Sequence, residues 1–260
     1  MELFDCHAHL DELRDLQKAL AGAVSAGVCG IVGVGINAAS NSRILDIASS
    51  SPVAVYPAIG LYPDEVEPGE LQRVLEQIET HREKLVALGE IGLDYWIKPL
   101  RKKQPGREEK KQLQIEAFRL QLRTARRLDL PVIVHSRGAW RDAFACVREE
   151  KIPRAIFHWY TGPREVLKEI IEAGYLISAT PATGYSPPLR EALRTAPLES
   201  VVLETDCPVP VREDRDFIPT VPGDVRRSLT ALGALRGIDP AELADITTAN
   251  ARRFLGLKVG

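Results

Sequence analysis

The chain has 260 residues, of which 45% are hydrophobic and 27% charged, and its formal net charge is -2. These values are typical of a globular protein with a sizeable core, and they exclude an overall positive field that would attract nucleic acid or a membrane. No apolar run approaches the roughly 20 residues that span a bilayer, and no secretory signal pattern opens the chain. The four cysteines form no CxxC pair, so we expect reduced thiols in a cytoplasmic protein with no membrane partner.

Apolar segments that predict β-strands alternate along the chain with amphipathic segments that predict helices. The predicted strands cover residues 4–10, 30–36, 53–60, 85–94, 131–136, 154–160, 175–180 and 200–206. The predicted helices cover residues 12–26, 43–49, 68–84, 108–128, 138–149, 163–173 and 188–195, followed by a helical C-terminal part from 224 with a break at 237–240.

This alternation predicts the fold. Strands separated by helices and short connections form a parallel sheet. No composition shift or linker divides the sequence, and eight such units in 260 residues indicate a (β/α)8 TIM barrel in which residues 1–260 form one domain. A doubly wound open sheet is the alternative.

The first predicted strand carries two histidines at a spacing that suits metal binding. Side chains alternate along a strand, so His7 and His9 share one face. Two imidazoles on one face can bind a metal ion, although an isolated pair fits a hydrogen-bonded strand end equally well. Asp5 lies on the same face but deeper, and we expect it to orient an imidazole rather than to bind metal.

Polar residues also mark the ends of later predicted strands, where a barrel of this type carries its active site. Four of the five histidines lie at such ends, whereas His81 falls late on a predicted helix and is expected at the surface. Any one of these residues alone is explained by a buried hydrogen bond or an ion pair, but together they would be costly to bury without a metal. Besides His7 and His9, the strand-end residues are Glu90, Asp94, His135, His158 and Asp206.

The size of this group favours two metal ions. Six imidazole and carboxylate ligands are too many for one catalytic ion that keeps an open position, but they suit two divalent ions roughly 3.5–4 Å apart and bridged by a carboxylate. Glu90 is the natural bridge because it is central in the chain. Imidazole ligands favour Zn, while carboxylates also admit Mg or Mn. The predicted ligands are His7, His9, Glu90, His135, His158 and Asp206.

Motifs throughout the chain resemble those of the TatD family of metal-dependent deoxyribonucleases, within the amidohydrolase superfamily. They are DCHAHL at 5–10, GEIGLDY at 89–95, QxxxFxxQL at 114–122, LPVIVHSR at 130–137, FHWYTG at 157–162, ETD at 204–206 and NARRFL at 250–255.

The resemblance implies roles for these residues. His7 and His9 would hold one metal ion with Asp206, His135 and His158 would hold the second, and Glu90 would bridge the two. It also implies a metal-dependent nuclease, of the 3′-to-5′ exonuclease type, that acts on single-stranded DNA. On this basis we expect Asp206 to orient the attacking water and to act as general base.

Two departures from the family pattern lie where we expect the substrate to bind. Tyr62 occupies the place of a family histidine that contacts the substrate phosphate, and residues 207–222 replace the usual segment after strand eight. A phenol donates a hydrogen bond but carries no positive charge near neutral pH. The predicted substrate contacts are Arg137, Tyr62, Tyr95, Lys102 and Lys103.

Two of these groups have alternative explanations. The basic loop with Lys102 and Lys103 could attract a phosphate backbone or be a solvated surface loop. The aromatic residues Trp96, Trp140 and Trp159, which also follow strand ends, could stack on bases or pack loops against the barrel.

Other functions remain open from the sequence. The same metals would serve an amidohydrolase-type enzyme acting on a small ester, lactone or amide, or a weakly active metal-binding subunit of a complex. A nucleotide-cofactor fold is weaker: residues 33–38 imitate its glycine motif, but no acidic residue ends the next predicted strand, at 53–60, where a ribose contact is needed.

Overall fold

The computed structural model describes residues 1–97, 100, 106–214 and 216–257, so Lys102 and Lys103 lie outside the described residues. Within them, eight parallel strands pair in chain order, β1 to β8. This order, with helices between the strands, confirms the predicted (β/α)8 barrel. The strands are β1 (Leu3–Ala8), β2 (Val28–Val34), β3 (Val55–Ile59), β4 (Ala87–Gly92), β5 (Val132–His135), β6 (Ala155–Phe157), β7 (Leu176–Ala179) and β8 (Val201–Leu203).

The barrel closes between β1 and the segment that follows β8. The amide of Asp206 donates to the carbonyl of His7 at 2.9 Å, and the amide of His9 donates to that of Cys207 at 2.8 Å. The Asp5 carboxylate accepts hydrogen bonds from the Thr205 amide (2.9 Å) and hydroxyl (2.7 Å). The expectation that Asp5 orients an imidazole is therefore wrong: its carboxylate fastens β1 to the end of β8.

The helices of the described residues cover the outside of the barrel, and none of them is long and apolar enough to cross a membrane. They are α1 (Leu16–Ser25), α2 (Ala38–Ser50), α3 (Pro68–His81), α4 (Arg107–Arg127), α5 (Trp140–Glu149), α6 (Arg164–Glu172), α7 (Pro187–Thr195), α8 (Val225–Arg236) and α9 (Pro240–Leu255).

Two elements differ from the sequence prediction. Helix α2 begins at Ala38 rather than at residue 43, because the side chain of Asn37 caps it by accepting a hydrogen bond from the Ser40 amide at 2.9 Å. After β8, the short strands β9 (Val211–Glu213) and β10 (Asp216–Ile218) pair antiparallel. This pair lies within residues 207–222, the segment that departs from the family pattern.

One buried ion-pair cluster joins α4 to the end of α5. Glu150 is only 7% exposed. Its carboxylate accepts hydrogen bonds from Arg123 Nε at 3.1 Å and Nη2 at 2.9 Å, and from Arg119 Nη1 at 3.2 Å. The hydrogen bond from Arg123 outweighs the cost of burial and holds the pKa of Glu150 below its usual range.

We expect Glu150→Gln to lower the free energy of unfolding by about 1–2 kcal/mol near pH 7, because the amide keeps the shape but loses the charge that the arginines bind. Because the pKa of Glu150 is lower in the folded state, its ionised form stabilises the protein. This contribution is fully present at pH values above the unfolded-state pKa of about 4.3 and is lost as the pH falls through the folded-state pKa. The difference between wild type and variant should therefore shrink in acid.

Urea unfolding at a series of pH values measures this difference. The matched control is Glu149→Gln, since the Glu149 side chain is 59% exposed and also pairs with Arg119; it should cost less than about 0.5 kcal/mol. Equal losses in the two variants, or a Glu150 effect that persists unchanged in acid, would contradict the prediction.

Candidate metal centre

Because side chains alternate along the strands, polar residues lie at the mouth of the barrel. Ile133, Ile156 and Val202 belong to one apolar cluster, whereas their neighbours in the strands belong to the other. Residues two positions further along face the same side. Each of these three positions is therefore followed by a buried polar residue at the mouth, namely His135, His158 and Glu204.

The first donor set combines β1 with β4 and the segment after β8. The Nε2 atoms of His7 and His9 lie 3.2 Å apart. Glu90 Oε2 lies 3.5 Å from the first and 3.4 Å from the second of these nitrogens. Asp206 Oδ1 lies 3.4 Å and 3.3 Å from the same two atoms. Glu90 Oε2 and Asp206 Oδ1 therefore each lie within 3.5 Å of the same pair of imidazole nitrogens.

The second donor set combines β4, β5 and the end of β6. Glu90 Oε1 lies 2.6 Å from His135 Nδ1 and 2.9 Å from His158 Nε2. The two ring nitrogens are 3.2 Å apart. The two oxygens of the Glu90 carboxylate thus face different histidine pairs, as a bridging carboxylate does.

These distances fit metal binding. Ligands at 2.0–2.1 Å around a tetrahedral Zn ion are separated by about 3.3–3.4 Å, close to the 3.2–3.5 Å of the first set. Three overlapping groups of residues can each hold an ion. They are His7, His9 and Glu90; Glu90, His135 and His158; and His7, His158 and Asp206.

Three of the four histidines are oriented through their second ring nitrogen, a common feature of metal-binding imidazoles. His9 Nδ1 lies 3.2 Å from the Val34 carbonyl oxygen. His158 Nδ1 lies 3.4 Å from Glu204 Oε1, and His135 Nε2 lies 3.0 Å from Asp94 Oδ2.

Sequence reasoning missed the orienting roles of Asp94 and Glu204. A signal was present for Glu204, which stands two residues before Asp206, the same spacing as His7 and His9. Asp94 was placed at a strand end but given no partner, since the side chains that bind its carboxylate lie 32 to 43 residues away in the chain.

The charges of the centre support each other. Burial lowers the pKa of His9, but hydrogen bonds to Asp206 and Glu90 outweigh it and hold that pKa well above its ordinary value. Burial raises the pKa of Glu90, but the charges of His158 and His135 outweigh burial and hold it well below its usual range. Both carboxylates stay ionised at neutral pH, since the pKa of Asp206 is lowered too, and this is the form that binds metal.

A cavity of about 380 Å³ opens beside the donors. Of the predicted substrate contacts, Tyr62 and Arg137 line it. Both also bind Asp94: the Tyr62 hydroxyl donates to Oδ2 at 2.9 Å, and Arg137 donates to the same oxygen from Nε at 2.9 Å and Nη2 at 2.6 Å. Asp94 therefore links two predicted substrate contacts to the candidate ligand His135.

Tyr95 is placed differently from its prediction. It is absent from the lining of the cavity beside the donors and lines two neighbouring grooves instead. Its hydroxyl donates to Asp142 at 2.8 Å, and Lys111 Nζ lies 4.3 Å from the centre of its ring. These contacts tie the loop after β4 to α4 and α5, so Tyr95 has a packing role in this structure.

A parallel barrel with imidazoles and carboxylates gathered at its mouth defines a hydrolase of the metal-dependent barrel class. The model of the family described as TatD related DNase matches residues 4–256. The chain therefore belongs to the TatD family, and the resemblance seen in the motifs is confirmed.

The relatives support the same class. Human "Deoxyribonuclease TATDN3" is 31% identical over 264 residues, which cover 97% of this chain and 94% of that protein. "Uncharacterized metal-dependent hydrolase YabD" of Bacillus subtilis is 31% identical over 268 residues, covering 97% and 98%. The crystal structure of YJJV, a TatD homologue from Escherichia coli, superposes with a TM-score of 0.84 at 26% identity and covers 98% of both chains. The chain is thus a metal-dependent hydrolase.

We expect Asp94→Asn to weaken metal binding at the His135 side of the centre by about 10- to 100-fold, because the amide no longer fixes the ring nitrogen that faces Glu90. Calorimetric titration of the metal-stripped protein with Zn or Mn measures the affinities. Tyr62→Phe is the control, because it removes one donor from Asp94 but leaves the bond to His135. Wild-type affinities in Asp94→Asn would show that His135 needs no such partner.

Proposed function

We propose that this protein is a phosphodiester hydrolase that degrades single-stranded DNA, in the manner of a 3′-to-5′ exonuclease, with two divalent ions (Zn, Mg or Mn) at the mouth of the barrel. The observation that carries the proposal is the Glu90 carboxylate, whose two oxygens face two separate histidine pairs. The four free cysteines agree with the cytoplasmic location that we propose. We also propose that residues 1–260 form one catalytic domain.

The proposed ligands divide between the two donor sets. His7, His9 and Asp206 would hold one ion, and His135 and His158 the other, with Glu90 between them. When bound, such ions place positive charge beside the phosphate oxygens and acidify a nearby water.

Asp206 is the proton acceptor in this proposal. Its backbone is fixed by the hydrogen bond to the His7 carbonyl, and its side chain is 10% exposed at the wall of the cavity. Oδ1 faces the histidines of β1, so Oδ2 is the oxygen that would orient the attacking water and take its proton. The side chain of Arg137 is 46% exposed, and its Nε and Nη2 atoms donate to Asp94. The remaining nitrogen, Nη1, would donate to a phosphate oxygen.

DNA is proposed as the substrate because the family is described as TatD related DNase and the human relative as a deoxyribonuclease. The unpaired form is favoured by the aromatic side chains that line the cavity beside the donors.

The decisive experiment is a nuclease assay of metal-stripped protein restored separately with Zn, Mg and Mn on single- and double-stranded DNA and RNA. The proposal expects chelator-sensitive cleavage that is fastest on single-stranded DNA and releases nucleotides from the 3′ end. A parallel panel of esters, lactones and amides tests the amidohydrolase alternative. Efficient turnover there with no nucleic-acid cleavage would replace the proposed function, and no turnover of either kind would favour a metal-binding subunit.

We expect Asp206→Asn to reduce kcat by at least about 100-fold, because an amide cannot accept the proton of the water. Circular dichroism and thermal unfolding should show an intact fold. The control is Asp245→Asn, a carboxylate exposed on α9 away from the mouth, which should retain full activity. Retained turnover in Asp206→Asn would remove this residue from the proposed mechanism.

A further inference from the structure

All three tryptophans of this chain line the same cavity, the one beside the metal donors. Trp96 is 47% exposed, so its indole is not simply filling the core. The rings of Trp96 and Trp140 meet edge to face, with centroids 5.6 Å apart. Such a concentration of large aromatic surface next to a catalytic centre indicates a binding role for the wall that it forms.

The backbone around these side chains is adapted to hold them there. Gly138 has a φ of +73°, and a Cβ at this position would overlap the indole of Trp96. A Cβ at Gly162 would overlap the indole of Trp140. Both positions therefore require glycine, and each leaves space that one tryptophan occupies.

Trp159 is held in a conformation that large side chains rarely adopt. Its φ is +41°, and its amide donates to the Ser178 hydroxyl at 2.7 Å. Neighbouring residues in a strand face opposite sides, yet both His158 and Trp159 line the cavity. The left-handed backbone after β6 thus turns an indole towards the same space as a candidate metal ligand, and strain of this kind concentrates at functional sites.

We propose that Trp96, Trp140 and Trp159 form a stacking subsite for the unpaired base of the nucleotide whose phosphodiester lies at the metal donors. This inference rests on the proposed function and specifies its substrate: a nucleotide with its base free of a duplex, held by the π-face of the base. Stacking on aromatic rings tolerates any base, so the subsite selects unpaired ends rather than a sequence.

The cavity has the right scale and chemistry for one such nucleotide. Its volume of about 380 Å³ lies within the range of sites for small ligands. Glu90 and Asp206 line the polar part of the cavity, and the three indoles with Ile36 and Val209 line its apolar part. The phosphate and the base of one nucleotide would therefore meet different parts of the same cavity.

Binding of two ligands that differ only by a base tests the inference. The metal-loaded full chain is titrated with 2′-deoxyadenosine 5′-monophosphate and with 2-deoxyribose 5-phosphate, and binding is followed by calorimetry and by tryptophan fluorescence. Because all three indoles line the cavity, the fluorescence reports on this site alone. We expect the nucleotide to bind about 5- to 150-fold more tightly and to quench the fluorescence, and the sugar phosphate to leave it nearly unchanged.

Variants of the tryptophans identify which indoles stack on the base. In Trp140→Leu and Trp159→Leu the advantage of the nucleotide over the sugar phosphate should fall to a few-fold, while the affinity for the sugar phosphate stays the same. Trp140→Phe should recover part of the advantage, because a smaller ring still stacks. Phe217→Leu is the matched control: this aromatic is 65% exposed on β10, outside the cavity, and its loss should change neither affinity.

A second readout uses catalysis. Single-stranded oligonucleotides with a normal or an abasic 3′-terminal residue are compared by their kcat/KM values. The wild type should cleave the normal end with the higher kcat/KM, and the tryptophan variants should lose this preference. Equal binding of the two small ligands by the wild type overturns the stacking subsite whether or not the variants fold. Cleavage with unchanged end preference in the variants overturns the subsite but leaves the nuclease. Base-dependent binding with no cleavage of nucleic acid keeps the subsite and removes the proposed function.

Discussion

The buried carboxylate of Glu90 is the group around which the mouth of this barrel is assembled. It is 3% exposed, and a carboxylate at such depth is costly unless positive charge compensates it. One oxygen faces the histidines of β1 and the other faces His135 and His158. The charge of one side chain therefore requires the ends of four strands to meet, which couples closure of the barrel to formation of the centre.

Much of this arrangement follows from sequence because it depends on strand periodicity. Parallel strands of similar length end at one face of a barrel, and alternate side chains share a side. Residues such as His135 and His158 could thus be assigned to the mouth without knowledge of any distance. The chain order of β and α segments likewise fixed the barrel, since short connections allow few arrangements of eight parallel strands.

The remaining features depend on contacts that periodicity does not encode. Asp5 was expected to orient an imidazole, but its carboxylate accepts hydrogen bonds from the Thr205 amide and hydroxyl and from the His7 backbone amide. Tyr95 follows a strand end, as a substrate contact would, but Asp142 fixes its hydroxyl elsewhere. The strands β9 and β10 are three residues each, too short to produce a recognisable alternation.

Tyr62 stands where the motif resemblance leads us to expect a histidine, and this difference bears on how the mouth would hold a phosphate. Burial, followed by the charges of Glu90 and Asp94, raises the pKa of Tyr62 far above neutrality, so this position offers a neutral hydroxyl. Among the described residues that line the cavity, Arg137 is the permanent cation, and Asp94 already pairs with it. The part of the rim formed by described residues therefore supplies little permanent positive charge that is not already paired. In the proposed mechanism, substrate charge would be balanced at the metal centre, and the indole wall would supply more of the affinity away from that centre.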